Sequence, residues 1–283
     1  MVKKHYYLQF CKFSHKEFQK NTTSPLKLVV NFITFQKSRF QPTSKMARKQ
    51  KDIFHFKQFS VKHDRCAHKV GTDGVLLGAW VDVRGAHRIL DIGTGSGVIA
   101  LMLAQRSLPH AHIDAVEISL EDCEQAKENV AKSPWSHKII IENQALQKFD
   151  TDPYDLIVSN PPFFIDSAKP PAEERMRARH AELLPPKELL AHAQRLLNPQ
   201  GKLCLVLPVT EAQNFIALAK GQGWHCSRLC EFRARANKPP ERLLFQLQLT
   251  KHPFQNESLI LYEQGEEWTI AYKNLTRDFY LRV

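Results

Sequence analysis

The chain has 283 residues, 43% of them hydrophobic and 24% charged. That is enough apolar material for one substantial core, while no apolar run reaches bilayer-spanning length and the start lacks the apolar core and cleavage pattern of a secretory leader. The net charge of +11 is uneven: residues 1–45 carry nine Lys or Arg and one acid, Glu17, whereas the rest holds 31 basic and 28 acidic residues. Any nucleic-acid footprint on the body of the chain must therefore come from local clusters.

Residues 1–45 mix Lys with aromatics such as Tyr6, Phe10, Phe18 and Phe35 and show no sustained period. They read as a basic N-terminal extension, poorly ordered, with three origins open: an arm gripping nucleic acid, a leader, or a mis-assigned start, for which Met46-Ala47-Arg48-Lys49 would serve as the true one. Residues 46–283 are expected to form the working domain. From Arg88 the pattern alternates. Strands are predicted at 88–92, 113–116, 139–141, 156–158 and 203–207, and helices at 98–104, 120–131, 187–197 and 211–220. Ser119 with Asp122 has the form of a capping box ahead of the second helix. Residues 226–232 and 243–249 suit a closing antiparallel pair. Alternating βαβ units imply a mostly parallel α/β sheet with helices on both faces, and ligands at the carboxyl ends of its strands. The six cysteines are scattered and form no C-x-x-C pair, which suits reduced thiols in a cytoplasmic protein; Cys226 and Cys230 lack complementary ligands, so no metal is expected.

Asp91-Ile92-Gly93-Thr94-Gly95-Ser96-Gly97 follows a strand and opens a helix. A dinucleotide fingerprint would need glycine at position 98, where this chain has Val98, so the pyrophosphate register is absent. Glu117 ends the second strand; it is either a solvated strand-end acid or a carboxylate accepting two ribose hydroxyls. The combination resembles the S-adenosylmethionine-dependent methyltransferase family. The resemblance implies a Rossmann-like seven-stranded class I sheet, mostly parallel with a terminal antiparallel strand. It also implies cofactor contacts from Asp91, Gly93, Thr94, Gly95, Gly97 and Glu117, with Asn143 or Gln144 near the adenine.

Asn160-Pro161-Pro162-Phe163 closes the fourth predicted strand. Two prolines cannot continue a central strand, so the chain must turn and present the Asn160 side chain and the Pro161 carbonyl. Both accept hydrogen bonds, and a planar amine has two N–H donors, so gripping both places its nitrogen. Phe163 offers a flat face for a base. The motif resembles the amino-methylating branch of the same family, which acts on adenine, guanine or glutamine amines. No general base is required, because the amine loses its proton after attack.

Three basic clusters are candidate nucleic-acid contacts or plain solvated surface. The first runs from Lys57 to Lys69. The second is Lys169, Arg175, Arg177, Arg179 and His180, and the third lies in 233–242 with Arg235, Lys238 and Arg242. The stretch from Phe59 to Gly78 (FSVKHDRCAHKVGTDGVLLG) is more specific. With DIGTGSG, NPPF, Arg179-His180, the Lys238-Pro239-x-x-Arg loop and the C-terminal LTRDFYL, it resembles the bacterial valine-tRNA adenine-37 methyltransferase family across roughly residues 50–283. That resemblance implies an anticodon-loop adenine of tRNA as substrate, a monomer acting without metal or membrane, and a Val70, Gly71, Thr72, Asp73 segment bordering the cofactor. An unpaired loop base costs less to turn into a pocket than a duplex base. Other readings are a ribosomal-RNA guanine methyltransferase, a release-factor glutamine methyltransferase, and a binding protein with an inactive fold.

Overall fold

A computed structural model describes residues 52–162 and 184–282. In chain order the strands are β1 (Ile53–His55), β2 (Ser60–Lys62), β3 (Arg88–Ile92), β4 (His112–Glu117), β5 (Ile139–Asn143), β6 (Tyr154–Ser159), β7 (Leu197–Pro208), β8 (His225–Arg233), β9 (Arg242–Gln248) and β10 (Gln255–Ile260). The helices are α1 (Thr72–Trp80), α2 (Val98–Arg106), α3 (Leu120–Ala131), α4 (Pro186–Leu196), α5 (Val209–Gly221) and α6 (Ile270–Thr276).

β1 and β2 form a small antiparallel hairpin, and the other eight strands form one sheet ordered β10-β8-β9-β7-β6-β3-β4-β5. β9 pairs antiparallel with both β7 and β8, while the remaining pairings are parallel. The sheet thus has the expected Rossmann-like class, with two differences of detail. Among the described residues it holds eight strands, where seven were expected, and its antiparallel strand, β9, lies between β7 and β8. The extra strand, Gln255-Asn256-Glu257-Ser258-Leu259-Ile260, is a polar edge strand with little buried surface, so it carries no hydrophobic alternation to read.

The central strands are buried on both faces, and successive residues alternate between two apolar layers. Ile89 and Leu156 belong to the layer shared with α1, α2 and α3, whereas Leu90 and Ile157 belong to the layer under α4 and α5. α1 lies in the first layer with seven of its nine residues buried. A helix apolar on nearly every side has no amphipathic period, which is why the sequence pattern did not announce it. Gly78 permits its close approach to α2: a Cβ there would stand 2.8 Å from the Met102 sulfur. β7 starts earlier than predicted, at Leu197, which pairs with Tyr154 of β6 ahead of an irregularity in the register; Gly201 passes so near β6 there that a Cβ would lie 2.9 Å from the Tyr154 carbonyl oxygen. The chain order reverses at β3, whose neighbours are β4 and β6. The crevice beyond the carboxyl ends of these three strands is the place where such sheets take ligands.

Candidate active site

The β3–α2 loop is shaped by three glycines with left-handed backbones, Gly93 (φ 69°), Gly95 (φ 54°) and Gly97 (φ 82°), a region in which other residues are strained. They face different surroundings. A Cβ on Gly97 would meet the Cβ of Ala126 on α3 at 3.4 Å, while one on Gly93 or Gly95 would have no atom of the described residues within 4 Å beyond its chain neighbours. So the loop packs on α3 at Gly97, and among the described residues the backbone at Gly93 and Gly95 is uncovered. Asp91, fully buried beneath the loop, accepts from the Thr94 hydroxyl at 2.6 Å and the Ala100 N–H at 3.2 Å through one oxygen; its other oxygen is buried with no partner among the described residues. Burial pushes this carboxyl up to about 7, against the pull of those two donors.

Glu117 ends β4 beside this loop and is 8% exposed. Its carboxylate accepts from the Gly95 N–H at 2.9 Å and the Ser119 N–H at 3.0 Å, which holds it at the lip of the loop. Ser119 caps α3 through the Asp122 N–H at 3.3 Å. Asn143 spends its amide on the carbonyls of Glu117 and Ile118, at 2.9 and 3.1 Å, and so braces the β4 turn from β5. The Gln144 side chain bonds the Lys148 carbonyl at 2.9 Å. Ile118, which follows Glu117 in the chain, is apolar yet 49% exposed, and the sequence reading passed over it.

Asn160-Pro161-Pro162 leaves β6 next to β3, with Ser159 fixed by its hydroxyl on the Ile92 carbonyl at 2.9 Å. Pro161 is buried and Asn160 half-buried. The first turn of α1 abuts this site: a Cβ on Gly74 would come within 4.0 Å of the Asn160 amide and 3.5 Å of Val98. The residue that follows the Val70–Asp73 segment thus touches both the start of α2 and Asn160. Asn129 of α3 anchors its approach, accepting from the Lys62 N–H at 2.9 Å and donating to the carbonyls of Lys62 at 2.7 Å and Ser96 at 2.8 Å. Sequence reasoning missed Asn129, since its partners lie 33 and 67 positions away and nothing local marks it.

Much of the first basic cluster is matched by acids or spent on backbone. Lys62 pairs with Asp64, Arg65 with Glu128, and Lys69 with Asp52, while Lys57 bonds the Arg277 carbonyl and His63 is buried. In the third cluster Arg235 stacks on Tyr262 with its guanidinium 5.3 Å from the ring centre, and Arg242 pairs with Asp73 at 2.8 Å. Phe163, Lys169, Arg175, Arg177, Arg179 and His180 lie outside the described residues. Burial pushes the Cys66 and Cys230 thiols up to about 12, so neither is a thiolate at neutral pH. No helix among the described residues is long and apolar enough to cross a membrane.

The Methyltransferase small domain model matches residues 66–217, which include the glycine loop, Glu117 and Asn160. A protein of Trichodesmium erythraeum named tRNA1(Val) (adenine(37)-N6)-methyltransferase is 47% identical over 233 residues, covering 81% of this chain and 98% of its own. The chain belongs to the tRNA1(Val) (adenine(37)-N6)-methyltransferase family. Further members from Tolumonas auensis (44% identical, 81% of this chain and 97% of the relative) and Pectobacterium carotovorum (45%, 82% and 95%) match over the same extent. A solved structure of a predicted O-methyltransferase from Agrobacterium tumefaciens superposes with a TM-score of 0.58 at 19% identity over 73% of this chain and 96% of its own, a likeness of fold. The family membership agrees with the resemblance read from FSVKHDRCAHKVGTDGVLLG, DIGTGSG and NPPF.

Proposed function

We propose that this chain transfers a methyl group from S-adenosylmethionine to the exocyclic amine of adenine 37 in the anticodon loop of a valine tRNA. The observation that carries the reading is the convergence of three strand ends. Asn160-Pro161-Pro162 leaves β6 beside the open backbone of Gly93 and Gly95 at β3, and Glu117 closes the other side at β4.

The residues present suit the cofactor. The bare faces of Gly93 and Gly95 admit a ligand against the backbone, Glu117 has a carboxylate for two ribose hydroxyls, and Ile118 has an apolar face for the adenine ring. Asp91 and Thr94 shape the loop from beneath, and Val70, Gly71 and Thr72 wall the cofactor on the α1 side. Bound there, S-adenosylmethionine supplies an electrophilic methyl on a sulfonium that is already a good leaving group.

The protein's share is positioning. The Asn160 side-chain oxygen and the Pro161 carbonyl accept the two N–H bonds of the target amine. That grip holds the nitrogen in the crevice and favours the pyramidal form whose lone pair can react. Pro162 turns the chain out of the sheet so that Phe163 follows the grip and stacks on the base. The proton leaves the cationic product to solvent. Lys169, Arg175, Arg177, Arg179, His180, Arg235, Lys238 and Arg242 are proposed contacts for the RNA backbone. The enzyme acts as a monomer in the cytoplasm and takes the tRNA without a metal.

The test is Asn160→Ala. Loss of one preorganised catalytic contact is worth about 10²–10³ in rate. We expect a fall in kcat of at least that size with the calorimetric affinity for S-adenosylmethionine held within twofold. Equal loss of both would remove the role given to Asn160. Nucleoside mass spectrometry of valine tRNA methylated by the wild-type protein tests the substrate.

A further inference from the structure

Asp73 was expected, with its neighbours in the segment, to border the cofactor. The structure gives its carboxylate another partner. Asp73 lies in the first turn of α1, and its Oδ2 accepts from Nε of Arg242 at 2.8 Å, with the two side chains 21% and 28% exposed. Arg242 is the first residue of β9, paired in register with Pro208 at the carboxyl end of β7 and with Phe232 on β8. A second donor of the same guanidinium, Nη1, is spent on the Glu241 carbonyl at 2.9 Å, and the Glu241 N–H bonds the Phe232 carbonyl at 2.8 Å. The guanidinium is therefore oriented from two sides, by a helix turn and by a strand end. The next residue of that helix turn is Gly74, which abuts Asn160.

We infer that Asp73 is a positioning residue for the RNA substrate: it fixes Arg242 where β9 begins, against the carboxyl end of β7, and so governs affinity for tRNA and not for the cofactor. This rests on the reading that the substrate is RNA. A long arginine loses rotamer freedom when it grips a phosphate, and a planar fork already held in one orientation loses less. Asp73 also carries a negative charge that a phosphate would meet, so its net effect has a sign that experiment can read. Residues 231–242 carry four Lys or Arg against two Glu, an excess of positive charge that favours the orienting effect.

The experiment uses the full chain with valine tRNA transcript and compares Asp73→Ala, Asp73→Asn, Arg242→Gln and the double variant Asp73→Ala/Arg242→Gln. Melting temperatures first establish that each is folded; should Asp73→Ala fail to fold, Asp73→Asn carries the comparison. We expect KM for tRNA to rise about tenfold for Asp73→Ala and by less for Asp73→Asn, which keeps an acceptor for Nε. The dissociation constant for S-adenosylmethionine should stay within twofold, and the double variant should be no worse than Arg242→Gln alone. A tenfold weaker cofactor affinity with unchanged KM for tRNA, a fall in KM for Asp73→Ala, or additive effects in the double variant would each overturn the inference. Failure of the underlying reading is separate: the wild-type protein itself would then leave adenine 37 of the tRNA unmethylated.

Discussion

Gly95 and Gly97 sit two residues apart in the same loop, both with left-handed backbones, yet replacing each with alanine should damage the protein in different ways. Both substitutions force a Cβ into a conformation that strains an L residue by about 1–2 kcal/mol. At Gly97 (φ 82°, ψ 9°) the new methyl would lie 3.4 Å from the Ala126 Cβ and 3.5 Å from that residue's Cα, an ordinary packing contact against α3, so its cost is the backbone strain. With roughly 2–4 °C per kcal/mol for a domain of this size, Gly97→Ala should lower the melting temperature by roughly 2–8 °C while S-adenosylmethionine still binds. At Gly95 the Cβ enters open space on the side proposed for the cofactor. There strain alone gives the same thermal loss of roughly 2–8 °C. The affinity for S-adenosylmethionine should fall about tenfold or more, the equivalent of about 1.4 kcal/mol. Differential scanning fluorimetry and calorimetry read the two quantities separately. An equal fall in cofactor affinity in both variants, or an unchanged cofactor affinity in Gly95→Ala, would refute the division of labour within the loop.

Two further outcomes follow from buried charge. Asp91 has its folded-state pKa raised from 3.8 to about 7, mainly by burial. In that window the folded protein binds more protons than the unfolded chain, so this residue's contribution to stability is fully present below pH 3.8 and is lost as pH rises to 7. The stability of Asp91→Asn relative to wild type should therefore rise across pH 4–7 and level off above it, measured by denaturant unfolding; parallel profiles would contradict the assignment. Lys138, also buried, closes the carboxyl end of α2 by donating to the carbonyls of Ala104 at 2.9 Å and Leu108 at 2.8 Å and to the Ser107 hydroxyl at 2.9 Å. Lys138→Met strands those carbonyls, and with charged hydrogen bonds worth about 1.5–3 kcal/mol the variant should lose roughly 2–3 kcal/mol of stability while binding S-adenosylmethionine as before. A melting temperature within 1 °C of wild type would show that the ammonium is dispensable.

What could be read from the sequence was what local chemistry dictates. Glycines at 93, 95 and 97 are required by their backbone angles, prolines at 161 and 162 must end a strand, and Ser119 signals a helix start three residues before the N–H it accepts. Each of these leaves a mark within a few positions. Two elements that escaped prediction lack such a mark. α1 is buried on almost every side and β10 is a polar edge, so neither shows the alternation of apolar and polar residues on which pattern reading depends.

The site itself divides along the same line, and the division bears on how the enzyme should be altered. Glu117 could be found because it ends a strand after a glycine loop, but the hydrogen bonds that hold its carboxylate come from Gly95 and Ser119, on two different loops. Asn129 joins the glycine loop to Lys62 across 67 positions, and Asp73 meets Arg242 across 169. Such pairs arise only when the sheet brings distant strand ends to one crevice, so no window of sequence contains both partners. Their energetic weight is nevertheless exercised on the residues that motifs do reveal. A change at Asn129, which no motif marks, should therefore act through the loop, and a change at Asp73, which the sequence does single out, should act through Arg242, a partner that its motif does not contain.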